Sequence, residues 1–421
     1  FRRVLFRSKA AGALERMINN DQEESVAVRR AAAAALGLLD ANANDNDNDR
    51  KRHWDLLAAV LQNQANHLDA ETDWDVIDQK LPLLQGASRG LQRLAARAST
   101  DSLKVWGEVD SLKVPMLTLT TSKGAVTTEL KTIEVWQLPL PGGLPLELVE
   151  IPGGTAWIGS PEGEIGLKAY GDWSDVGEVD VEEQRELTVP PFGMARYPIT
   201  QAQWRSLAGE EHKRQGGANL QPDPSQHKND EGPVDSVSWH DAQEWLLRLN
   251  RWLQGYWQDK KIEDRPPVMV LPSESLWELA CRAGSSSTPF HFGDTLDAAW
   301  ANYNGNYVYP GGRAGRYWQR SSAVGAYGLV NAWGLADLHG NVWEWCADVW
   351  HPSPLKAPRD GSPWQGPPEG VENRLLRGGS WFSDPHDCRA AYRFRVRPGV
   401  RSDYVGFRVC CLPPGLPSWS L

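Results

Sequence analysis

The side chains best suited to chemistry lie close together near the C-terminus, in the segment 376–389. It reads Leu-Arg-Gly-Gly-Ser-Trp-Phe-Ser-Asp-Pro-His-Asp-Cys-Arg and contains Ser380, Ser383 and Cys388. A cysteine thiolate is a strong nucleophile and a soft-metal ligand, whereas a serine hydroxyl is far weaker in both respects. The chemistry of Cys388 therefore depends on its neighbours, and Ser383 offers it a hydroxyl rather than a second thiol.

Composition limits the class of protein. With 421 residues the chain is long enough for two or three domains, and 21 tryptophans, 39 glycines and 29 prolines predict a loop-rich fold filled by aromatic side chains. The net charge of −10 argues against nucleic acid as a partner. There is no apolar run long enough to predict a membrane span.

Cysteine usage is sparse and odd in number: Cys281, Cys346, Cys388, Cys410 and Cys411. Adjacent cysteines such as the last two rarely bridge each other, because the geometry of a disulfide resists it. We therefore expect reduced thiols and a cytoplasmic protein.

The N-terminal part falls into two predicted segments. Residues 1–8 (FRRVLFRS) are typical of a translated sequencing adapter, so we expect the natural N-terminus and any upstream domains to be missing. Residues 9–110 are predicted to be α-helical, with helices over 9–40, 53–66 and 83–98. A HEAT-like repeat and an ordinary helical hairpin both fit this pattern.

The residue pattern changes from helical to strand-like near residue 111. Residues 111–145 are predicted to form a short β segment and linker, with strands over 114–120 and 133–138 joined by a turn at 122–124. From residue 146 to 412 the sequence predicts short strands, glycine turns and two helices, and residues 413–421 form a tail.

Both predicted helices show apolar residues spaced three and four apart. They span Trp239–Leu253, with Ser238 or Asp241 as the candidate N-cap, and Ser273–Arg282, with Ser273 as the start signal.

An ordered series of short motifs runs through residues 146–412. In chain order these are IPGGTAWIG (151–159), ARYPITQAQW (195–204), PVDSVSW (233–239), LPSESLWELA (271–280), ANYNG (301–305), GLADLHGNVWEW (334–345), RGGSW (377–381) and VGFR (405–408). The set resembles the sulfatase-modifying factor, or formylglycine-generating enzyme, family. That resemblance implies an α+β, C-type-lectin-like fold with two helices, small antiparallel sheets and much irregular structure.

The resemblance also implies structural calcium. Hard cations need several oxygen ligands, and a short loop can supply them from carboxylates and backbone carbonyls. The residues that match the family's calcium loop are Asp337, Gly340, Val342 and Glu344, and part of a second site is matched by Asn302 and Tyr303. The alternative is that Glu344 is a buried carboxylate capped by backbone amides.

The family's oxidase members bind copper(I) with two cysteines, and the resemblance maps those positions onto Ser383 and Cys388. Ser380 and Trp343 match residues that line the family's active site, and Tyr404 stands where oxidases keep an asparagine. One thiol cannot form the two-sulfur site, so copper chemistry is not expected and Cys388 is interpreted as a core thiol. The alternative is a formylglycine-generating enzyme or related metal-dependent oxidoreductase that acts on a protein cysteine or a small substrate.

A second resemblance lies inside the first, between Phe382 and Arg408. Some members of the family are diversified by retroelements that rewrite AAY codons to NNY, which cannot encode Lys, Glu, Gln, Met or Trp. None of these five residue types occurs in this range. Arginines recur in it as if fixed, at positions 389, 393, 395, 397, 401 and 408.

The residues between these arginines are all reachable by NNY codons. They are Phe382, Ser383, Asp384, His386, Asp387, Tyr392, Phe394, Val396, Val400, Ser402, Asp403 and Tyr404. Aromatic and small polar side chains on a rigid scaffold make an adaptable binding face. We therefore predict a non-catalytic module that binds an unknown protein or surface ligand through residues 382–404; it is compatible with a role as a regulatory domain of a larger helical-repeat protein.

Overall fold

The computed structural model describes most of the chain from residue 112 onward and a few helical positions before it. The described residues are 56–58, 60, 81, 85–88, 112–123, 125–164, 182–209, 212, 216–263, 265–366 and 373–412. Residues 56–58, 60, 81 and 85–88 are helical, and all of them except residue 81 fall within the helices predicted over 53–66 and 83–98. The remainder of those two predicted helices lies outside the described residues. The predictions for 1–8, 9–40 and 413–421 lie outside the described residues.

The described elements give a mixed α+β protein, as predicted. The strands are β1 Leu112–Ser122, β2 Ala125–Pro139, β3 Pro145–Ile151, β4 Gly154–Ile158, β5 Arg185–Val189, β6 Phe192–Ala195, β7 Val268–Val270, β8 Leu329–Val330, β9 Trp343–Val349, β10 Arg374–Arg377, β11 Phe394–Val396, β12 Val405–Gly406 and β13 Cys410–Leu412. The helices are α1 Gln201–Ala208, α2 Trp239–Lys260 and α3 Glu274–Arg282.

The largest sheet has the strand order β7-β13-β6-β3-β2-β1-β8. The hairpin of β1 and β2 confirms the predicted turn, and its register runs from Leu112 opposite Val135 to Ser122 opposite Ala125. β2 then pairs with β3, and β1 pairs in parallel with β8. The β segment before residue 146 therefore continues into the same sheet as the strands that follow it.

A smaller sheet, in the order β11-β10-β9-β12, carries the C-terminal segment of interest. Its central strand β9 is buried along its whole length. Residues 378–393 connect β10 to β11, and residues 397–404 connect β11 to β12. Both connections leave the same sheet, which brings them close together.

The two predicted helices are present with the predicted caps. Ser238 and Asp241 form a reciprocal capping box at the start of α2, and the Ser273 hydroxyl caps α3. α2 continues to Lys260, beyond the predicted end at Leu253.

The expectation of only two helices is wrong, because α1 is a third. It has its own capping box, in which the Thr200 hydroxyl accepts from the Gln203 backbone and the Gln203 side chain accepts from the Thr200 backbone. With eight residues and only Trp204 and Leu207 as large buried anchors, α1 offers too little apolar periodicity to be recognised from pattern alone.

Tryptophans fill the core next to these helices, as the composition predicts. Trp204 and Trp245 stack at 6.3 Å between ring centroids, and Phe407 meets Trp245 edge-on at 5.7 Å. Among the described helices, none has the length and apolar character required to cross a membrane.

Candidate functional site

Buried arginines attach the C-terminal segment to distant parts of the fold. Arg389 donates to both oxygens of Glu182, at 2.7 and 2.9 Å, and to Glu164 Oε1 at 2.7 Å. Arg393 donates to both oxygens of Glu274, at 2.6 and 3.0 Å. Two-point guanidinium–carboxylate pairs fix geometry as well as charge, so they hold the backbone between them in place.

Two more of the predicted fixed arginines have carboxylate partners. Arg408 is fully buried and donates to both oxygens of Glu344, at 2.6 and 2.7 Å. Arg401 is exposed but donates to both oxygens of Asp241, at 2.8 and 2.9 Å. Arg395 instead lies 4.9 Å over the Trp350 ring, and Arg397 is exposed.

The predicted variable side chains have a different environment. Phe382 is 58% exposed. Partly exposed positions are Asp384, His386, Asp387, Tyr392, Phe394, Val396, Val400, Ser402, Asp403 and Tyr404. Ser383 is the buried exception, with 6% of its surface exposed. The segment thus combines side chains that are buried with predicted variable side chains that mostly reach solvent.

Aromatic rings from this segment form two adjoining groups. Phe382 stacks on Tyr404 at 6.0 Å between centroids, and Trp381 meets Phe382 edge-on at 5.7 Å. Trp343 packs against Phe394 at 5.2 Å and donates its backbone N–H to the Tyr404 carbonyl. Half-buried aromatic rings present a large apolar area that is already ordered, which suits ligand contact.

Tyr317 extends the group formed by Trp381, Phe382 and Tyr404, which we call the aromatic surface, although it lies outside the predicted segment. Its ring stacks on Trp381 at 6.2 Å. The sequence prediction missed it, and the available signal was the run Arg-Tyr-Trp-Gln-Arg at 316–320, in which aromatic residues alternate with cations in a loop.

Ser380, Ser383 and Cys388 do come together. The Ser380 backbone N–H donates to Ser383 Oγ at 3.1 Å and also faces the Cys388 thiol. Cys388 is fully buried, and this burial, with the charges of Asp387 and Asp384, raises the pKa of its thiol well above the usual range. At neutral pH the group is therefore an inert thiol and not a thiolate.

Gly379 explains how the thiol is packed. Its φ is +72°, and a Cβ built on it would lie 2.5 Å from Cys388 Sγ. Only glycine allows the backbone to approach the sulfur this closely. The Ser383 hydroxyl lies 3.3 Å from the Ser380 hydroxyl, and in the described part of the chain neither is bonded to a general base.

The implied copper site does not fit these residues. It requires two thiolates, and the structure places one buried thiol beside a hydroxyl. More widely, the described residues contain no cluster of three or more His, Cys, Asp and Glu side chains arranged to hold a metal ion.

The residues predicted for calcium are divided between two environments. Both oxygens of Glu344 accept from Arg408, and Oε2 also accepts from Trp277 Nε1 at 2.6 Å. The buried charge of Glu344 is therefore balanced by side-chain donors and not by the backbone amides considered as the alternative. Because both of its oxygens already accept hydrogen bonds, Glu344 is not well placed to bind calcium. Asp337 lies elsewhere, with its Oδ2 accepting from the Gly325 backbone at 2.6 Å.

Asn302 shares a small cavity with Asp337 and Gly340. Its Oδ1 is buried and has no hydrogen-bond partner among the described residues, whereas its backbone carbonyl accepts from Asn341. Tyr303 is buried with its hydroxyl 3.5 Å from the Leu296 carbonyl. An unpaired buried oxygen in the same cavity as a carboxylate fits a cation better than the Glu344 position does.

The sulfatase-modifying factor enzyme 1-like domain family matches residues 143–411. Inactive C-alpha-formylglycine-generating enzyme 2 of Mus musculus is 28% identical over 261 residues, which cover 60% of this chain and 69% of the mouse protein. The formylglycine-generating enzyme of Mycobacterium tuberculosis is 27% identical over 325 residues, which cover 64% of this chain and 98% of that protein.

Serine/threonine-protein kinase pkn1 of Chlamydia caviae is 28% identical over 286 residues, or 62% of this chain, and the match spans only 37% of the kinase. Among solved structures, PvdO from Pseudomonas aeruginosa aligns with a TM-score of 0.50 and 27% identity, over 67% of this chain and 99% of PvdO. Sequence identity is thus nearly the same to a relative named as inactive, at 28%, and to one named as a formylglycine-generating enzyme, at 27%.

Proposed function

Because the chain belongs to the sulfatase-modifying factor family, we propose that it uses the family's fold as a non-catalytic ligand-binding module. Its binding face is residues 382–404. One observation carries the proposal: the buried Arg389 and Arg393 anchor this segment to the scaffold, while all of its predicted variable side chains except Ser383 are at least partly exposed.

Catalysis by the family's oxidase chemistry is the alternative, and the site residues weigh against it. Cys388 is a buried thiol with a raised pKa, and Ser383 stands at the other sulfur position. The direct test is to incubate the purified protein with copper(I) and a Cys-x-Pro-x-Arg peptide and to follow oxidation of the peptide cysteine. Tight copper binding with turnover would overturn the proposal.

We propose further that the face is diversified by a retroelement. The absence of Lys, Glu, Gln, Met and Trp between Phe382 and Arg408 supports this, and so does the solvent exposure of most NNY-reachable positions. The encoding DNA provides the test. A near-copy of codons 378–408 beside a reverse transcriptase gene is expected, and a complete genome without such a repeat would contradict diversification while leaving the binding proposal intact.

We also propose that Asp337, Gly340 and Asn302 hold a structural calcium ion. The unpaired Oδ1 of Asn302 supports this assignment. Calcium is expected to raise the thermal midpoint of the metal-depleted protein, magnesium much less so, and Asn302→Leu is expected to remove the difference. An equal midpoint in calcium and in chelator would exclude the site.

The cellular setting is likewise a proposal. All five cysteines are free and buried, which supports a reducing, cytoplasmic location. The match to part of a kinase supports a role as one domain of a larger regulatory protein. The gene sequence upstream of residue 9 tests this role directly.

A further inference from the structure

A cavity of about 730 Å³ lies beside the aromatic surface and has no role in the proposals above. Three loops form its wall, from residues 227–229, 297–299 and 313–327. Its volume falls in the range that holds a small-molecule ligand.

The wall of this cavity carries positive charge on a protein whose net charge is −10. Lys228, Arg313, Arg316 and Arg320 line it, and the one lining carboxylate, Asp297, is 3.2 Å from Arg313. Of the described acidic side chains, none lies within ion-pair distance of Arg316 or Arg320. Both guanidinium groups are exposed and therefore available to an anion.

The loop that carries these arginines is held in place by its backbone. The Gly315 N–H donates to the Gly305 carbonyl at 2.8 Å, and the Arg320 carbonyl accepts from Asn302 Nδ2 at 3.0 Å. Further along, the Val324 N–H donates to the Glu231 carbonyl at 2.8 Å. An anchored loop presents its cations without a large ordering cost on binding.

Trp318 adds an apolar wall to the charged one. It lines the cavity, is 40% exposed, and has the Arg316 guanidinium 3.7 Å above its ring. Stacking restricts the arginine to a limited set of rotamers and leaves its N–H edge free to donate.

We propose that this cavity binds a small molecule bearing carboxylate or phosphate groups, which Arg316 and Arg320 hold. A guanidinium matches the two oxygens of either group with parallel hydrogen bonds, so both chemistries fit. The site does not depend on the C-terminal face binding a ligand of its own.

Calorimetric titration of the whole chain with pyrophosphate and, separately, with citrate tests this at constant ionic strength. At least one probe is expected to bind saturably with one site per chain, and the probe that binds tells phosphate from carboxylate recognition. Arg316→Gln with Arg320→Gln is expected to weaken binding by about tenfold or more, because charge-assisted hydrogen bonds are lost.

Two matched controls separate a site from general attraction to positive charge. Arg251→Gln changes the charge of an exposed α2 residue outside the wall and is expected to leave binding unchanged. Ala314→Asp puts a carboxylate into the exposed wall and is expected to weaken binding, whereas Ala314→Asn is not. Absence of saturable binding by both probes, or an equal loss in Arg251→Gln, would overturn the proposal.

Discussion

Arg393 and Glu274 form a two-point ion pair that joins the C-terminal segment to the first residue of α3. The guanidinium donates to both carboxylate oxygens, at 2.6 and 3.0 Å, and both residues are buried. Burial by itself raises the pKa of Glu274, but Arg393 and Arg377 outweigh it and the pKa is lowered. This ion pair therefore ties the segment that carries the candidate binding face to α3.

Removing this tether should be costly. We expect Arg393→Gln to lower the free energy of unfolding by about 3–5 kcal/mol, since it leaves a buried carboxylate without its main partner. Urea denaturation followed by circular dichroism measures the change. Arg397→Gln in the same segment is the control, because this exposed arginine should contribute within about 0.5 kcal/mol. Similar losses in the two variants would contradict the anchoring role.

The candidate face itself should tolerate substitution. Phe382→Ser is expected to change the free energy of unfolding by less than about 1 kcal/mol, since the ring is 58% exposed and loses mainly its contacts with Tyr404 and Trp381. Leu376→Ala, in the buried strand β10, should cost about 2–5 kcal/mol. A large loss for Phe382→Ser would assign that position to the scaffold instead.

Restoring the second sulfur should change the chemistry of the segment. Ser383→Cys places a thiol beside the same Ser380 N–H that faces Cys388. We expect this variant to bind copper(I) with at least about tenfold higher affinity than the parent protein, because two soft ligands replace one. Competition with a colorimetric copper(I) chelator gives the affinities, and Ser383→Ala is the control that changes position 383 without adding a sulfur. Unchanged copper binding would show that the two positions do not converge on a metal.

A buried aspartate should make stability fall as pH rises. Burial raises the pKa of Asp235 to about 7, and its Oδ2 has no partner among the described residues. The unfolded state loses this proton near pH 4, whereas the folded state keeps it until about pH 7. The contribution of Asp235 to the free energy of unfolding therefore falls steadily as the pH rises from 4 to about 7 and is constant above pH 7.

Asp235→Asn removes that dependence while keeping the Oδ1 acceptor used by Gln226 and Ser236. The variant should nearly match the parent near pH 4 and be more stable at pH 8 by up to about 4 kcal/mol. Thermal denaturation of the two proteins across this range gives the difference directly. A constant difference at all pH values would mean that Asp235 does not titrate as described.

Local signals in the sequence predicted the elements well. The capping residues Ser238 and Ser273 and the hairpin turn near Lys123 appear in the structure as expected. Each depends on neighbours a few residues away, which a pattern can report.

Local sequence patterns could not predict the contacts that define the site. Arg389 meets Glu182 across 207 positions of sequence, and Arg408 meets Glu344 across 64. Only the strand topology brings such pairs together, so the sequence showed recurrent arginines without showing their partners. Tyr317 was missed for the same reason, since its place beside Trp381 depends on the path of a long loop.

The separation of buried anchoring arginines from exposed side chains within residues 382–408 has an evolutionary consequence. Arginines such as Arg389, Arg393 and Arg408 hold this stretch by side chains that a ligand cannot reach. Under the binding role proposed above, substitutions at the exposed positions between them would change recognition with little selection against misfolding. The same separation of buried anchors from exposed positions makes the segment a suitable template for laboratory libraries.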